Sequence, residues 1–368
     1  MTAASPMHVV ERQRSSLREN VHFACPIMAR SDTVNIMSDF QAEKTLVREH
    51  HAAIAAATPA TVGAALAART KSDWAWRGTH PFGPQVGARA VAAAFWTPLI
   101  QAFTRMQRRP DIFLAGEAKG TQRGVWVVET GHLMGLFDRA LLGIRPTRRI
   151  AMLRYVEFNR VADGQITDTV MFADLLSLMW QAGQYPLPPA TGAHLITPGP
   201  MTHAGLLHGP QDPARGLATM AAIEALLNNA IAAHDPQEAA KLARVWHDDM
   251  IWWGPAGIGA SYTIDRYVAQ HCKPFDDGLT HVPGDNGDLT RVAEGDFGGF
   301  FAWDSYRLRG TGGYLGMTAT ENPAAMPFVD LYRVEDGKLI ENWVFIDLLG
   351  MLFAQGLDVL GRLGTTQN

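Results

Sequence analysis

The stretch Tyr332-Arg333-Val334-Glu335-Asp336-Gly337-Lys338-Leu339 has a twin 173 residues earlier, Asn159-Arg160-Val161-Ala162-Asp163-Gly164-Gln165-Ile166. In each, Asp-Gly stands between alternating apolar runs, the chemistry of a two-residue hairpin turn with positive φ. Each is followed at the same distance by a Phe-x-Asp-Leu-Leu run, Phe172 to Leu176 and Phe345 to Leu349. Working outward, Leu142-Gly143 matches Leu315-Gly316 and Gly183 matches Gly356 at the same spacing. Asp73, Trp76 and Pro98 match Asp249, Trp252 and Pro274 at a spacing of 176. Such a period is too long for a solenoid unit, and the chain reads as a duplicated domain.

The rest of the sequence divides accordingly. An N-terminal extension over 1–37 is expected, then a first domain over 38–187, a linker over 188–213 and a second domain over 214–364. The linker region carries Pro188, Pro189, Pro198, Pro200, Pro210 and Pro213, which can neither join a central strand nor continue a helix. It is expected to wrap on the surface. With 368 residues and 47% hydrophobic content, each half is large enough to bury its own core. A net charge of −4 argues against nucleic acid as partner, since phosphate binding needs a basic surface. Two cysteines, Cys25 and Cys272, make no disulfide framework, and no apolar run approaches the roughly 20 residues that span a bilayer. Met1 to Ile36 lacks the apolar middle of a signal peptide. A cytoplasmic protein without a membrane partner is the expectation.

Each half opens with Ala/Leu/Glu-rich helical sequence, Gln41 to Ala68 and Leu217 to Val245, broken by Thr58-Pro59 and by His234-Asp235-Pro236. An aromatic segment, a Gly/Pro loop and another helix follow, Ala88 to Phe103 or Ile264 to Phe275. Strands come next, Gly124 to His132 or Phe297 to Leu308, then the hairpin and a closing helix, Leu175 to Ala182 or Leu348 to Leu363. This order specifies an α+β fold, with each sheet packed on about three helices.

A regular hairpin about Asp336-Gly337 places Glu335 opposite Lys338, Asp330 opposite Trp343 and Phe328 opposite Phe345. Opposed residues share a face. Phe328, Asp330, Tyr332, Trp343, Phe345 and Asp347 are therefore expected together, against Val329, Leu331, Val344 and Ile346. The first half gives Tyr155, Glu157, Asn159, Phe172 and Asp174 against Val156, Phe158 and Met171. A carboxylate among aromatic rings is costly unless paired, protonated or wet, and desolvation raises its pKa toward the range useful for proton transfer. Asp347 and Asp174 are the candidate catalytic residues. Both also precede helices, where Asp is a favoured N-cap. Asp330 and Glu157 are read as pocket groups or as partners of an arginine. His271, His132, Trp252, Trp303 and Trp76 are candidate walls for a flat apolar ligand, with core packing as the alternative. Arg154 falls on the aliphatic side and is assigned to contact between the halves.

No nucleotide loop, nucleophile elbow or zinc motif occurs, and the adjacent His50 and His51 point about 100° apart on a helix, too far to share one ion. No metal and no cofactor are expected.

The run Arg-Val-x-Asp-Gly-Lys-Leu-x-Glu-x-Trp-x-x-x-Asp, Arg333 to Asp347, resembles the C-terminal signature of the SnoaL-like polyketide cyclases, within the nuclear-transport-factor-2-like superfamily. The order of elements resembles that fold in both halves. The resemblance implies two tandem cone-shaped domains, in which helices fill the mouth of a strongly curved antiparallel sheet around an apolar pocket. It further implies aldol cyclisation or isomerisation of a small hydrophobic carbonyl compound by an aspartate on the last strand, a role that falls on Asp347 with Trp343 four residues before it. The first half keeps Asp174 but has Val170 at the tryptophan position and Gln165 at the lysine. A binding protein for a hydrophobic metabolite, without chemistry, is the alternative for the same fold. The halves are expected to pack as an intramolecular pseudo-dimer, with assembly of whole chains left open.

Overall fold

The computed structural model describes residues 39–120, 122–229, 238–282, 288–303 and 306–363. The expected extension over 1–37 and the turn at His234-Asp235-Pro236 lie outside the described residues. The first half runs α1 (Gln41–Ala55), α2 (Val62–Ala67), β1 (Thr70–Gly78), β2 (Pro84–Val86), α3 (Gly87–Val91), a π-helical turn (Ala92–Trp96), α4 (Thr97–Ala102), β3 (Phe103–Glu117), β4 (Val125–Phe137), β5 (Ile150–Ala162), β6 (Gln165–Ala173) and α5 (Leu175–Gln181). The second runs α6 (Pro213–Asn229), α7 (Glu238–Val245), β7 (Trp246–Trp253), β8 (Ser261–Tyr262), α8 (Ile264–Tyr267), a π turn (Val268–Cys272) and α9 (Lys273–Gly278). It continues through β9 (Leu279–His281), β10 (Asp288–Glu294), β11 (Phe297–Trp303), β12 (Arg307–Gly310), β13 (Ala324–Ala325), β14 (Phe328–Glu335), β15 (Lys338–Ile346), α10 (Leu348–Ala354) and α11 (Val359–Arg362).

The two six-stranded sheets repeat each other, β2-β1-β6-β5-β4-β3 in the first half and β8-β7-β15-β14-β11-β10 in the second. Both are antiparallel except where β1 meets β6 and β7 meets β15 in parallel. The α+β class and the two curved, helix-packed sheets follow the expectation. One difference is that β3 is a single 15-residue strand, whereas the second half adds a separate three-stranded sheet of β13, β12 and β9. Another is the closing helix of the second half, which divides into α10 and α11. Gly356 turns the chain at φ 98°, a conformation glycine adopts without strain, and Asp358 caps the new start by accepting from Gly361 N at 2.8 Å.

Two cores result. The inner faces of both sheets and the helices form one, including Trp74, Trp76, Phe95, Trp246, Trp252 and Leu352. The outer faces form the other, with Trp126, Val156, Phe158 and Phe172 of the first half packed on Phe301, Val329, Trp343 and Phe345 of the second. The sheets therefore meet back to back, each supplying the apolar cover the other's outer face needs. A buried ion pair reinforces this contact, Lys44 Nζ to Glu294 Oε1 at 2.5 Å, with Ala115 N donating to the other Glu294 oxygen at 2.8 Å. The proline-rich segment lies along the surface: Leu207 N and Gly205 O hydrogen-bond Phe113, and Ala193 bridges Ala260. No helix among the described residues is long and apolar enough to cross a membrane.

Candidate functional site

Both Asp-Gly turns form, with φ 50° and 75° at Asp336 and Gly337 and 51° and 71° at Asp163 and Gly164. Glu335 faces Lys338 and Val334 faces Leu339, but Ile340 is then an extra residue, a β-bulge, and Arg333 faces Glu341. From there Asp330 faces Val344 instead of Trp343, and Phe328 faces Ile346 instead of Phe345. A slip of one residue exchanges the two faces of a strand. Phe328, Asp330, Tyr332, Asn342, Val344 and Ile346 therefore point inward, while Trp343 and Phe345 point outward. The first half carries the same bulge at Thr167, which turns Met171 inward and Phe172 outward. Opposed charges meet across each bulge, Arg333 Nε to Glu341 Oε2 at 2.5 Å and Arg160 to Asp168 at 3.3 Å, and hold the slipped register.

Inside the second half the inward residues line a cavity of about 170 Å³. Trp246 and Trp252 of β7, Tyr267, His271 and Phe275 of the helical segment, and Phe328, Tyr332 and Val344 of the hairpin wall it. Asp330 presents its carboxylate to this space, and Asp276 reaches the lining from α9. Asn342 Nδ2 donates to Asp330 Oδ1 at 3.1 Å. Burial pushes the Asp330 carboxyl up to about 6, against the opposing pull of hydrogen bonds from Asn342 and Tyr332. The Tyr332 phenol is held far above its ordinary range by burial and by Asp330, so it stays a hydrogen donor. His271 stacks on Trp252 with ring centroids 4.3 Å apart and planes 20° apart. Burial lowers its imidazole to about 4, which keeps it neutral at physiological pH. His271 Nδ1 and Trp246 Nε1 are buried without a hydrogen-bond partner in the protein, a state that costs about 1–3 kcal/mol per group.

The same place in the first half is built differently. Glu157 stands 173 residues before Asp330, and it faces Glu129 across β4 and β5. Arg108 Nη1 lies 2.8 Å from Glu129 and 3.0 Å from Glu157. His51 bridges the same two carboxylates at 3.3 and 2.9 Å, and the Tyr155 hydroxyl donates to Glu129 at 2.5 Å. The Arg108 guanidinium lies over the Tyr155 and Trp96 rings. Burial alone would raise Glu157, but Arg108 and His51 outweigh it and bring it to about 2. Burial of Glu129 is likewise overcome, by His51 and Arg108. The interior position lined by aromatic rings in the second half holds a network of paired charges here.

Asp347 and Asp174 lie away from the cavity. Each caps its own helix, Asp347 Oδ1 accepting from Gly350 N and Asp174 Oδ1 from Ser177 N, both at 2.9 Å. The other oxygen of each crosses to the opposite half, Asp347 Oδ2 to His80 N and Asp174 Oδ2 to Ala256 N, both at 3.0 Å. His80 and Ala256 are themselves 176 apart, so the contact is reciprocal. Burial raises both carboxyls, against these backbone hydrogen bonds. The capping alternative therefore describes the environment of both residues.

The remaining candidates separate. Trp252, His271, Phe328 and Asp330 share the cavity. Trp343, Phe345 and Trp303 belong to the contact between sheets, with Trp343 Nε1 donating to Pro198 O at 3.0 Å. Trp76 packs on Phe95 in the first-half core, and His132 Nδ1 lies 3.3 Å from Asp111. Arg154 crosses between halves, donating to Gly254 O and Trp253 O. Asn342, Trp246 and the Arg108–His51 network stand at these sites without being among the candidates the sequence offers. An arginine and a carboxylate straddling each bulge, Arg333 with Glu341 and Arg160 with Asp168, were the available signal for Asn342. Among the described residues no cluster of three or more His, Cys, Asp and Glu side chains is disposed to hold a metal ion.

The family described as a SnoaL-like domain matches residues 223–342, the span from α6 to Asn342. Similar solved structures include a protein proposed as a SnoaL-like polyketide cyclase from Jannaschia sp. CCS1, 22% identical, covering 40% of this chain and 94% of that one with a TM-score of 0.31. An NTF2-like protein from Burkholderia xenovorans LB400 is 14% identical, with coverages of 38% and 98% and a TM-score of 0.30. A protein proposed as a polyketide cyclase from Xanthomonas campestris pv. campestris is 20% identical, with coverages of 39% and 99% and a TM-score of 0.30. No curated protein matches the chain.

Proposed function

We propose that the second half, whose residues 223–342 match the SnoaL-like domain family, catalyses proton transfer on a small hydrophobic carbonyl compound, with Asp330 as the acid/base. The observation that carries this reading is a carboxylate facing an aromatic cavity, pushed up to about 6 by burial and held by two neutral hydrogen-bond donors. A base with a pKa near working pH combines an ionised population with appreciable proton affinity.

The chemistry balances without another reactant. Asp330 takes a proton from carbon beside the substrate carbonyl, and the C–H electron pair becomes the enolate. In an aldol closure the enolate carbon bonds to a second carbonyl carbon, and the resulting alkoxide recovers the proton from Asp330. In an isomerisation the proton returns to a different carbon. Asn342 holds one carboxylate oxygen, and the stacked Trp252 and His271 offer a flat surface for a planar guest.

Deuterium uptake at the α-carbons of a panel of hydrophobic ketones and 1,3-diketones, followed by NMR in D₂O, tests the assignment. The Asp330→Asn variant is expected to lose about 10²–10⁴ of the catalysed rate, the contribution of a positioned base, and Asp347→Asn to retain it. Loss with Asp347→Asn and not with Asp330→Asn would return the role to Asp347. Tight binding without uptake by the native chain would favour a binding protein.

A further inference from the structure

His271 belongs to two spaces. It lines the inner cavity with Asp330, and it also lines an outer chamber of about 300 Å³. That chamber is closed on one side by Pro188, Pro189 and Thr191 of the strap that joins the halves, and on another by Gly312 and Gly313. The helix bearing His271 passes between the two spaces, with Cys272 and Phe275 toward the inner one and Gln270 and Pro274 toward the outer.

The backbone before His271 is irregular for a definite reason. Pro274 has no N–H to donate to the carbonyl of Gln270 four residues earlier, and the segment Val268–Cys272 winds as a π turn. The strap meets that carbonyl: Thr191 Oγ1 donates to Gln270 O at 2.5 Å. The strap is itself fixed beside this point, with Gly192 N donating to Ile258 O at 2.7 Å and Ala193 and Ala260 exchanging two hydrogen bonds. Gly192 and Gly259 approach so closely that a Cβ on either would fall 2.6 Å from the opposite backbone. The first half has the corresponding π turn at Ala92–Trp96 before Pro98, but there Phe95 stands in place of His271 and packs into a filled core.

We propose that the strap is part of the second half's working site: Thr191 latches the π turn so that His271 stands as the partition between the inner cavity and the outer chamber. Thr191 is a positioning residue, acting through His271, and the outer chamber is the approach by which a planar apolar guest reaches the inner cavity. This rests on the reading of the inner cavity as the working site, but the latch is measurable without a substrate.

The test uses the full chain with Cys25→Ser as background, so that Cys272 is the single thiol. Two reporters flank the latch, the His271 Hε1 resonance, shifted by the Trp252 ring current, and the rate at which 5,5′-dithiobis(2-nitrobenzoate) modifies buried Cys272. Thr191→Val keeps the shape without the hydroxyl, and Thr191→Ser keeps the hydroxyl. Thr191→Val is expected to move the His271 resonance toward its unstacked position and to speed Cys272 modification about two- to tenfold, the range one net hydrogen bond supports. Thr191→Ser is expected to restore both. Native values of both reporters in Thr191→Val, or failure of Thr191→Ser to restore them, would overturn the latch. Asp330→Asn should leave both reporters in place, so a failed deuterium assay and a failed latch are separate results.

Discussion

Glu157 and Asp330 stand at the same point of two sheets with the same strand order, and their surroundings drive them apart. Both are desolvated, which favours the neutral acid. Around Glu157 the Arg108 guanidinium and the His51 imidazole reverse that preference and bring it to about 2. Among the described residues Asp330 has the neutral partners Asn342 and Tyr332, and it rises to about 6. The difference extends to the space itself: the first half fills its interior with Arg108, His51, Glu129 and Tyr155, while the second leaves a cavity walled by indole, phenol and imidazole rings. A repeated fold can thus hold a buried charge network in one copy and a cavity in the other, by placing or withholding a few charged side chains.

The largest effect is expected from opening the closed half. Arg108→Met leaves Glu129 and Glu157 buried with less compensation, and breaking a buried pair in this way costs about 3–5 kcal/mol. Urea denaturation should show that loss, and a loss below about 1 kcal/mol would mean the network is wet. The opposite sign is expected for Asp330→Asn. Because the folded pKa of Asp330 is raised, the ionised residue opposes folding in full above about pH 6, and that penalty shrinks as pH falls from there toward the ordinary value of 3.8. The Asn variant should therefore be more stable at pH 8, by roughly 1–3 kcal/mol, with the gain vanishing near pH 4. Glu157 behaves the other way: its depressed pKa contributes stability that is full above its ordinary value of 4.5 and is lost as pH falls toward about 2. The smallest effect should come from the reciprocal caps. Asp174→Ala and Asp347→Ala each remove one N-cap and one contact between halves, for about 1 kcal/mol apiece. Near-equal losses in urea would agree with the symmetry of the contact, and strongly unequal ones would break it.

Much of this was legible in the residues. The positive-φ Asp-Gly turns, the α+β order and the assignment of Arg154 to the contact between halves all rest on local chemistry, and the structure has each of them; the repeat read in the residues is accompanied by the same strand order in both sheets. The bulges were not legible from alternation alone, because a two-residue turn fixes register only as far as the first irregularity. One extra residue at Ile340 sent Trp343 and Phe345 outward and brought Asn342 inward beside Asp330. That shift brings the carboxylate facing the cavity to β14, one strand before the position expected from the resemblance. The Arg108 network was hidden for another reason. β3 reads as Phe-Thr-Arg-Met-Gln-Arg-Arg-Pro, a polar run with the look of a solvated edge, and only tertiary pairing with Glu129 and Glu157 turns Arg108 inward.

Two carboxylates at equivalent positions, Glu157 and Asp330, are tuned in opposite directions, and the raised one faces the cavity. Following the side-chain carboxyl ¹³C resonances of Asp330 and Glu157 against pH, in the full chain, tests this most directly. Asp330 is expected to titrate near 6 while Glu157 stays ionised down to about 2. An Asp330 midpoint at its ordinary value of 3.8, or one no higher than that of Glu157, would contradict the account.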